Sequence, residues 1–199
     1  IDLTVWRVHP LNMEVGVARV CDHMFVVTGG PGSGKSSLID ALRRRGFQSM
    51  PEAGRAIIHD QVRIGGTSLP WADRTMFAEL MLCWELRSWH EASKMNGPVL
   101  MDRGMADVYG YLTLCDLPVP AHVIAAAMEF RYNVKVFIAP YWEEIFSQDA
   151  ERKQDRKEAE ATGAVMAETY ARLGYQLVEL PRETVETRAD FVMDHLKSE

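Results

Sequence analysis

A glycine-rich stretch near the start of the chain has the residue types and spacing of a phosphate-binding loop. The sequence GGPGSGKSS, residues 29–37, directly follows the apolar run MFVVT and precedes a helical pattern. It fits the pattern G-x-x-x-x-G-K-[ST], in which glycines let successive backbone N–H groups turn toward a phosphate. Phosphate binding is common to hydrolysis, to phosphoryl transfer and to switching, so other residues must distinguish these functions.

The residues of this loop have distinct expected roles in binding ATP and Mg²⁺. Lys35 is expected to reach the β- and γ-phosphates, and the Ser36 hydroxyl is expected to ligate the metal. The alternative is a glycine-rich turn with an incidental lysine, against which the flanking strand and helix argue. The predicted nucleotide-binding residues are Gly29, Gly30, Pro31, Gly32, Ser33, Gly34, Lys35, Ser36 and Ser37.

Two carboxylates that follow later strands are candidates for the transfer chemistry. Asp102 ends the apolar run PVLMD, and is predicted to hold magnesium through water; the alternative is a cap on the next helix. Glu52 opens a helical pattern in PEAGR, and is predicted to orient or deprotonate an acceptor hydroxyl. The alternative for Glu52 is a first-turn charge that the helix dipole stabilises.

Two arginines lie beside these carboxylates in the sequence and are candidates for substrate binding. Arg55 is three residues after Glu52 on the same helix face, and Arg103 directly follows Asp102. A guanidinium at either position can bind a phosphate or carboxylate of the substrate. It can equally form an ion pair with the neighbouring acid, and the sequence does not decide between these roles.

A charged segment later in the chain is predicted to form a lid over the site. In SQDAERKQDRKEAEA, residues 147–161, Arg152 and Arg156 lie one helical turn apart on one face. Arginines of such a lid neutralise charge on the transferring phosphoryl group and help to exclude water. The alternative is a solvated helix with internal ion pairs.

The elements that must position these residues alternate between short apolar runs and longer amphipathic patterns. Apolar strands between helices favour a parallel sheet covered on both faces, and ligands of such sheets bind beyond the carboxyl ends of the strands. The predicted strands are residues 24–29, 46–52, 98–102, 134–139 and 175–181. The predicted helices are residues 35–45, 52–63, 71–94, 105–115, 120–131, the later part of 143–173, and 183–197.

The order of these motifs resembles a known family. GGPGSGKS, E-A-G-R, D-R-G, the R-x-x-x-R segment and LGYQLVELP occur in that order over residues 24–197. Together they resemble the P-loop family of AAA-type ATPase-like domains that includes the ribosylnicotinamide kinase domain of NadR, and more distantly the nucleoside and nucleoside-monophosphate kinases. The resemblance implies a three-layer α/β P-loop NTPase fold, with a five-stranded parallel sheet in the order 2-3-1-4-5.

One position departs from the pattern of the ribosylnicotinamide kinases. Those kinases carry a second aspartate two residues after the first, and here that position is Gly104. The departure argues against nicotinamide riboside as the acceptor. The triplet D-R-G is instead similar to the D/E-R-[SG] of deoxynucleoside and thymidylate kinases.

Composition limits the classes of partner that the chain is expected to bind. Of 199 residues, 28 are acidic and 22 basic, giving a net charge of −6, which argues against a dedicated nucleic-acid-binding protein. No apolar run is long enough for a membrane span, and three dispersed cysteines indicate neither a disulfide framework nor a zinc site. We therefore expect a cytoplasmic protein with a small-molecule partner.

The sequence predicts one P-loop kinase-like domain over residues 23–199, with the lid near 145–160. Residues 1–22 are predicted to be an extension to which no role can be assigned, or an artefact of the assumed start. The favoured function is transfer of the γ-phosphoryl group of ATP to a nucleoside- or nucleotide-like acceptor. The alternative is a regulatory ATPase or GTPase that acts through a protein partner; the sequence has no N-K-x-D motif to select guanine.

Overall fold

The computed structural model describes residues 18–145 and 156–196, and its helices lie on both faces of a parallel sheet. The strands are β1 (Arg19–Cys21), β2 (Met24–Gly29), β3 (Gln48–Met50), β4 (Val99–Asp102), β5 (Phe130–Tyr132), β6 (Lys135–Ala139) and β7 (Gln176–Glu179). The helices are α1 (Lys35–Arg44), α2 (Ala53–Ile64), α3 (Arg74–Ala92), α4 (Met105–Leu114), α5 (Ala121–Glu129), α6 (Arg156–Arg172) and α7 (Val185–Leu196), with a 3₁₀ turn at Glu143–Ile145.

The main sheet has five parallel strands in the order β3-β4-β2-β6-β7. This is the predicted order 2-3-1-4-5, and the predicted α/β P-loop fold is confirmed. In the register of the central pair, Val27 of β2 lies opposite Asp102 of β4. The loop that follows β2 and the carboxylate that ends β4 therefore leave the sheet at the same edge.

Alternate side chains of the central strand build the apolar layers on the two faces of the sheet. Met24 and Val26 pack with residues of α3, α4 and α5. Phe25 and Val27 pack on the opposite face, with residues of α1 and α7. Because both faces are covered, β2 is apolar throughout, which is why its sequence reads as a continuous run.

A second, two-stranded sheet was not predicted. The helix expected over residues 120–131 ends at Glu129, and Phe130–Tyr132 forms β5, which pairs in parallel with β1 at Arg19–Cys21. The ring of Phe130 lies 5.2 Å from that of Trp89 in α3. The helix therefore ends directly before an aromatic residue that packs on α3. β1 thus joins part of the predicted extension to the domain, and residues 1–17 are outside the described part.

The predicted lid is described only at its two ends. Arg156 begins α6, which continues to Arg172, whereas Arg152 lies outside the described residues. α6 extends from the glycine loop to α4, so this one helix packs against both of them. Across residues 18–145 and 156–196, none of the helices combines the length and the apolar character that crossing a membrane requires.

Candidate functional site

The glycine loop between β2 and α1 adopts a conformation that its glycines make possible. Gly34 caps α1 with a left-handed backbone at φ 79°, a conformation that side chains disfavour. A Cβ on Gly30 would collide with the backbone oxygen of Ala159 in α6. The first glycine, Gly29, also has positive φ and lies against the backbone of Ala139. The loop is therefore enclosed by neighbouring backbone on more than one side.

The backbone N–H groups of this loop are arranged to receive an anion. Among the described residues, no acceptor takes a hydrogen bond from the N–H of Gly32, Ser33 or Gly34. These groups precede α1 directly, where the positive end of the helix dipole favours negative charge. A run of donors with no internal acceptor at a helix N-terminus fits a phosphate group.

The side chain of Lys35 lies inside the loop. It is only 3% exposed, and its Nζ donates to the carbonyl oxygens of Gly29 (3.1 Å) and Gly30 (2.6 Å). Nζ also lies 3.3 Å from the Ser33 hydroxyl, which in turn donates to the Gly30 carbonyl. The ammonium group is thus enclosed by the loop, and its contact with the β- and γ-phosphates stays a prediction.

A second buried cation contacts the loop from α7. Arg188 of α7 is 2% exposed, and both its Nη atoms donate to the carbonyl oxygen of Ser33 at 3.1 Å. Its Nη1 would lie 2.6 Å from a Cβ on Gly34, so the guanidinium fits only beside a glycine. Burial lowers the pKa of Arg188.

A cavity of about 570 Å³ adjoins the loop on the side of α2. Ser36 of the loop lies on one wall, and Glu52, Arg55 and Asp102 lie on the others. The predicted magnesium ligands, Ser36 and Asp102, therefore border the same space as the predicted acceptor-binding residues. Within the described ranges, no cluster of three or more His, Cys, Asp or Glu side chains could hold a metal alone.

Arg103 is committed to contacts with acidic side chains. Its Nε donates to Glu52 Oε1 at 3.2 Å, and its Nη1 donates to Asp107 Oδ1 at 2.9 Å. Burial lowers the pKa of Arg103, but the carboxylates of Glu52 and Asp107 outweigh it and raise the pKa above the usual value. The backbone of Arg103 has φ 75°, which is unfavourable for a side chain and which these two contacts help to retain.

Asp107 connects the acceptor side of the site to the end of β2. Its Oδ1 accepts from the Thr28 hydroxyl as well as from Arg103, and its Oδ2 accepts from the Tyr170 hydroxyl (2.7 Å) and the Gly104 N–H (3.0 Å). Thr28 directly precedes the glycine loop, and Tyr170 belongs to α6. One buried carboxylate of α4 thereby links β2, the two residues that follow β4, and α6.

Gly104 has a steric reason to lack a side chain. A Cβ at this position would lie 2.9 Å from the ring of Tyr132, whose hydroxyl accepts from the Met105 N–H at 3.3 Å. An aspartate at this position would displace the ring, so the departure from the ribosylnicotinamide kinase pattern is built into the packing.

Glu85 of α3 adds an unpredicted carboxyl beneath the site. It is 4% exposed, and burial, reinforced by the negative charges of Asp107 and Asp102, raises its pKa well above 4.5. Burial likewise raises the pKa values of Tyr132 and Tyr170, which remain hydrogen-bond donors at neutral pH.

The remaining predicted residues lie nearer the surface. Arg55 Nε is 3.9 Å from Glu52 Oε2, so the ion pair that was one of the two alternatives for Arg55 is present beside the cavity. Arg156 is exposed and forms ion pairs with Glu143 and Glu160 at 3.0 Å. At the start of α6, Arg156 thus has two acidic partners, and its predicted role in a lid stays a prediction.

Sequence reasoning missed several residues that the fold brings to the site: Thr28, Glu85, Asp107, Tyr170 and Arg188. Two of them carried a signal. Asp107 is at the third position of a helix that follows Gly104, where an acid side chain commonly caps the first turn. Thr28 is a polar residue in an otherwise apolar strand. A buried role for Arg188, 155 residues from Ser33, had no local signal.

The strand, the glycine loop, the buried lysine and the sheet order together define a protein of the P-loop class. A family model described as "AAA domain" matches residues 24–188. The chain belongs to this AAA domain family, in agreement with the resemblance found in its motifs. The narrower relationship to the ribosylnicotinamide kinases stays a prediction. No curated protein is significantly similar to this sequence.

Solved structures share the fold at low sequence identity. Deoxyadenosine kinase from M. mycoides with the products dCMP and dCDP is 12% identical with a TM-score of 0.65, over 88% of this chain and 100% of the kinase. The same kinase with bound dATP is 15% identical with a TM-score of 0.62, over 88% and 99%. Shikimate kinase from Acinetobacter baumannii with shikimate is 15% identical with a TM-score of 0.52, over 88% and 92%.

Proposed function

We propose that this protein is an ATP- and Mg²⁺-dependent phosphotransferase that phosphorylates a small nucleoside- or nucleotide-like acceptor. The observation that carries the proposal is the cavity of about 570 Å³, because Ser36 of the phosphate loop and the carboxylates of Glu52 and Asp102 face the same space. Cavities of this size hold small molecules. A donor phosphate and an acceptor hydroxyl can therefore meet there.

The donor half of the site consists of the loop and α1. The N–H groups of residues 32–34 and the ammonium of Lys35 bind the phosphates of ATP, and Ser36 with Asp102 would hold magnesium. Bound magnesium would withdraw charge from the phosphate oxygens. Ser36 offers a hydroxyl and Asp102 a carboxylate, which are hard oxygen donors that suit this ion.

The acceptor half of the site is organised around Glu52. Its carboxylate borders the cavity and orients the acceptor hydroxyl or takes its proton. Arg103 holds Glu52 Oε1 in place, and Arg55 Nε lies 3.9 Å from Oε2, so both arginines orient the carboxylate beside the cavity. Arg55 beside it binds polar groups of the acceptor. Arg156, with Arg152, is proposed to close over the transferring phosphoryl group.

The solved structures with this fold support the choice of acceptor class. Two of them are deoxyadenosine kinase with nucleotides bound, and the third is shikimate kinase with shikimate. The nucleoside-like class is preferred because the D-R-G triplet, beginning at Asp102, is similar to that of deoxynucleoside kinases.

Phosphorylation of a panel of nucleosides, nucleoside monophosphates and small hydroxy acids tests the proposal. We expect one class to yield a phosphorylated product with Mg·ATP, detected by mass spectrometry. Lys35→Met should abolish turnover, whereas Glu52→Gln should bind ATP normally but lose at least about a hundredfold in kcat. Glu91→Gln, an exposed carboxyl on α3, is the matched control and should behave as wild type.

Two results would contradict the proposal. Hydrolysis of ATP without a phosphorylated product from any acceptor class would favour the regulatory ATPase instead, and nucleotide-dependent binding of a protein partner would then be sought. Unchanged transfer by Glu52→Gln would refute the role of Glu52 and leave the donor site intact.

A further inference from the structure

Arg188 contacts the phosphate loop from outside the proposed acceptor cavity, whose lining does not include it. It projects from α7, a helix on the far face of the sheet from α3, α4 and α5. Both Nη atoms donate to one acceptor, the carbonyl oxygen of Ser33, at 3.1 Å. The guanidinium is packed directly against Gly34, at the N-terminus of α1.

The contact with Ser33 fixes a peptide group that faces the loop interior. In a trans peptide, the carbonyl and the following N–H point in opposite directions. The Ser33 carbonyl points to Arg188, so the N–H of Gly34 points away from α7 and toward the interior. In the described residues that N–H donates to no acceptor, which leaves it available to a phosphate oxygen. A cation on the carbonyl side polarises the peptide and strengthens its N–H as a donor.

The charge of Arg188 has no carboxylate to balance it. Within the ranges 18–145 and 156–196, Arg188 forms no ion pair, and its Nε has no hydrogen-bond partner. Its pKa is lowered by burial alone. Burying a cation without an opposite charge costs free energy. An anion in the loop would supply the missing negative charge.

We propose that Arg188 is a positioning residue for the β-phosphate of the bound nucleotide, acting through the Ser33–Gly34 peptide. This inference rests on the proposed ATP site and assigns a residue outside the P-loop motif to it. Arg188 holds the Gly34 N–H toward the phosphate and supplies positive charge behind the loop. α7 thereby contributes to nucleotide affinity although it does not contact the phosphate.

The test compares variants by calorimetric titration with Mg·ADP, Mg·ATP, tripolyphosphate and AMP. We expect Arg188→Met to bind ADP, ATP and tripolyphosphate at least about tenfold more weakly, because a charge-assisted hydrogen bond is lost. Binding of AMP, which has no β-phosphate, should change little. Arg188→Lys should recover part of the loss. Without ligand, the thermal midpoint of Arg188→Met should stay within about 4 °C of wild type.

Arg45→Met is the matched control for an anchoring role. Arg45 also ties α7 to the domain, through ion pairs with Glu186 and Asp190, but it does not touch the loop. We expect this variant to retain wild-type affinity for ADP. An equal loss of affinity in Arg45→Met and Arg188→Met would mean that Arg188 only anchors α7, and would overturn the inference.

The remaining outcomes separate this inference from the proposed function. If wild type and Arg188→Met bind ADP within about twofold of each other, the inference is wrong and the proposed function stands. If wild type binds neither ATP nor ADP, both are wrong. Should Arg188→Met fail to fold, Arg188→Lys decides: weaker ADP binding with an unchanged thermal midpoint supports the positioning role, and unchanged binding overturns it.

Discussion

Replacing Glu85 by glutamine should make the protein more stable at neutral pH. Glu85 is 4% exposed in α3, and its nearest charges are mostly negative, namely Asp107, Asp102 and Glu52, with Arg103 as the opposing cation. Burial and these carboxylates raise its pKa well above 4.5, so the folded state holds a proton that the unfolded state releases. Glutamine keeps the size of the side chain and cannot ionise.

The sign and slope of the effect follow from this difference in proton binding. Below pH 4.5, Glu85 is protonated in both states, and wild type and Glu85→Gln should have similar stability. As the pH rises from 4.5 toward the raised pKa of the folded state, wild type should lose about 1.4 kcal/mol of unfolding free energy per pH unit relative to the variant. The difference then stays constant at higher pH. For a chain of this length it corresponds to about 3–5 °C in thermal midpoint per pH unit.

Thermal unfolding of wild type, Glu85→Gln and Glu91→Gln between pH 4.5 and 8 measures this slope. Glu91 is on the same helix but exposed and paired with Arg87, so its replacement should change the midpoint by no more than about 1 °C at any pH. A midpoint difference between Glu85→Gln and wild type that does not grow with pH would refute the reasoning. So would a variant that is less stable than wild type at pH 7.

Three further changes test other parts of the site. Gly30→Ala should destabilise the fold by about 1–3 kcal/mol because its Cβ collides with the backbone of α6. Gly163→Ala in α6, whose Cβ would lie 3.6 Å from the backbone N of Gly30, should stabilise the fold by up to about 1 kcal/mol in urea unfolding. Asp107→Asn should cost about 3 kcal/mol, since it leaves Arg103 with one carboxylate fewer; a loss below about 0.5 kcal/mol would mean that the network is not cooperative. Arg156→Ala should leave the urea unfolding midpoint close to that of wild type because the side chain is exposed, and a drop in kcat alone would support its proposed lid role.

The sheet was predictable because its information is local. The three inner strands β2, β4 and β6 are apolar runs between helical patterns, and the loop at residues 29–36 identifies the class of sheet to which they belong. The small sheet was not predictable, because β1 and β5 have three residues each and are too short to show an alternation of apolar and polar residues. Phe130 continues the apolar pattern of α5, and only its packing on Trp89 shows that the helix has ended.

The site was predictable only where its residues follow strands. The positions of Lys35, Glu52 and Asp102 at one edge of the sheet could be predicted because the carboxyl ends of parallel strands meet there, and their roles stay predictions. Arg103 was predicted as a substrate ligand or a surface ion pair, and its buried contacts with two acids depend on a third residue, Asp107, in the next helix. Contacts such as that of Tyr170 with Asp107 join distant segments and leave no spacing to detect.

The pairing of β1 with β5 bears on where the chain can be shortened for expression. The family match begins at residue 24, which makes Met24 an obvious first residue for a truncated protein. Such a truncation would remove β1 and expose the edge of β5, the strand that ends at Tyr132. Tyr132 supports the first turn of α4 through the Met105 N–H, so the truncation would weaken the acceptor side of the site and leave the glycine loop intact. A protein that begins at residue 18 keeps β1 and its pairing with β5.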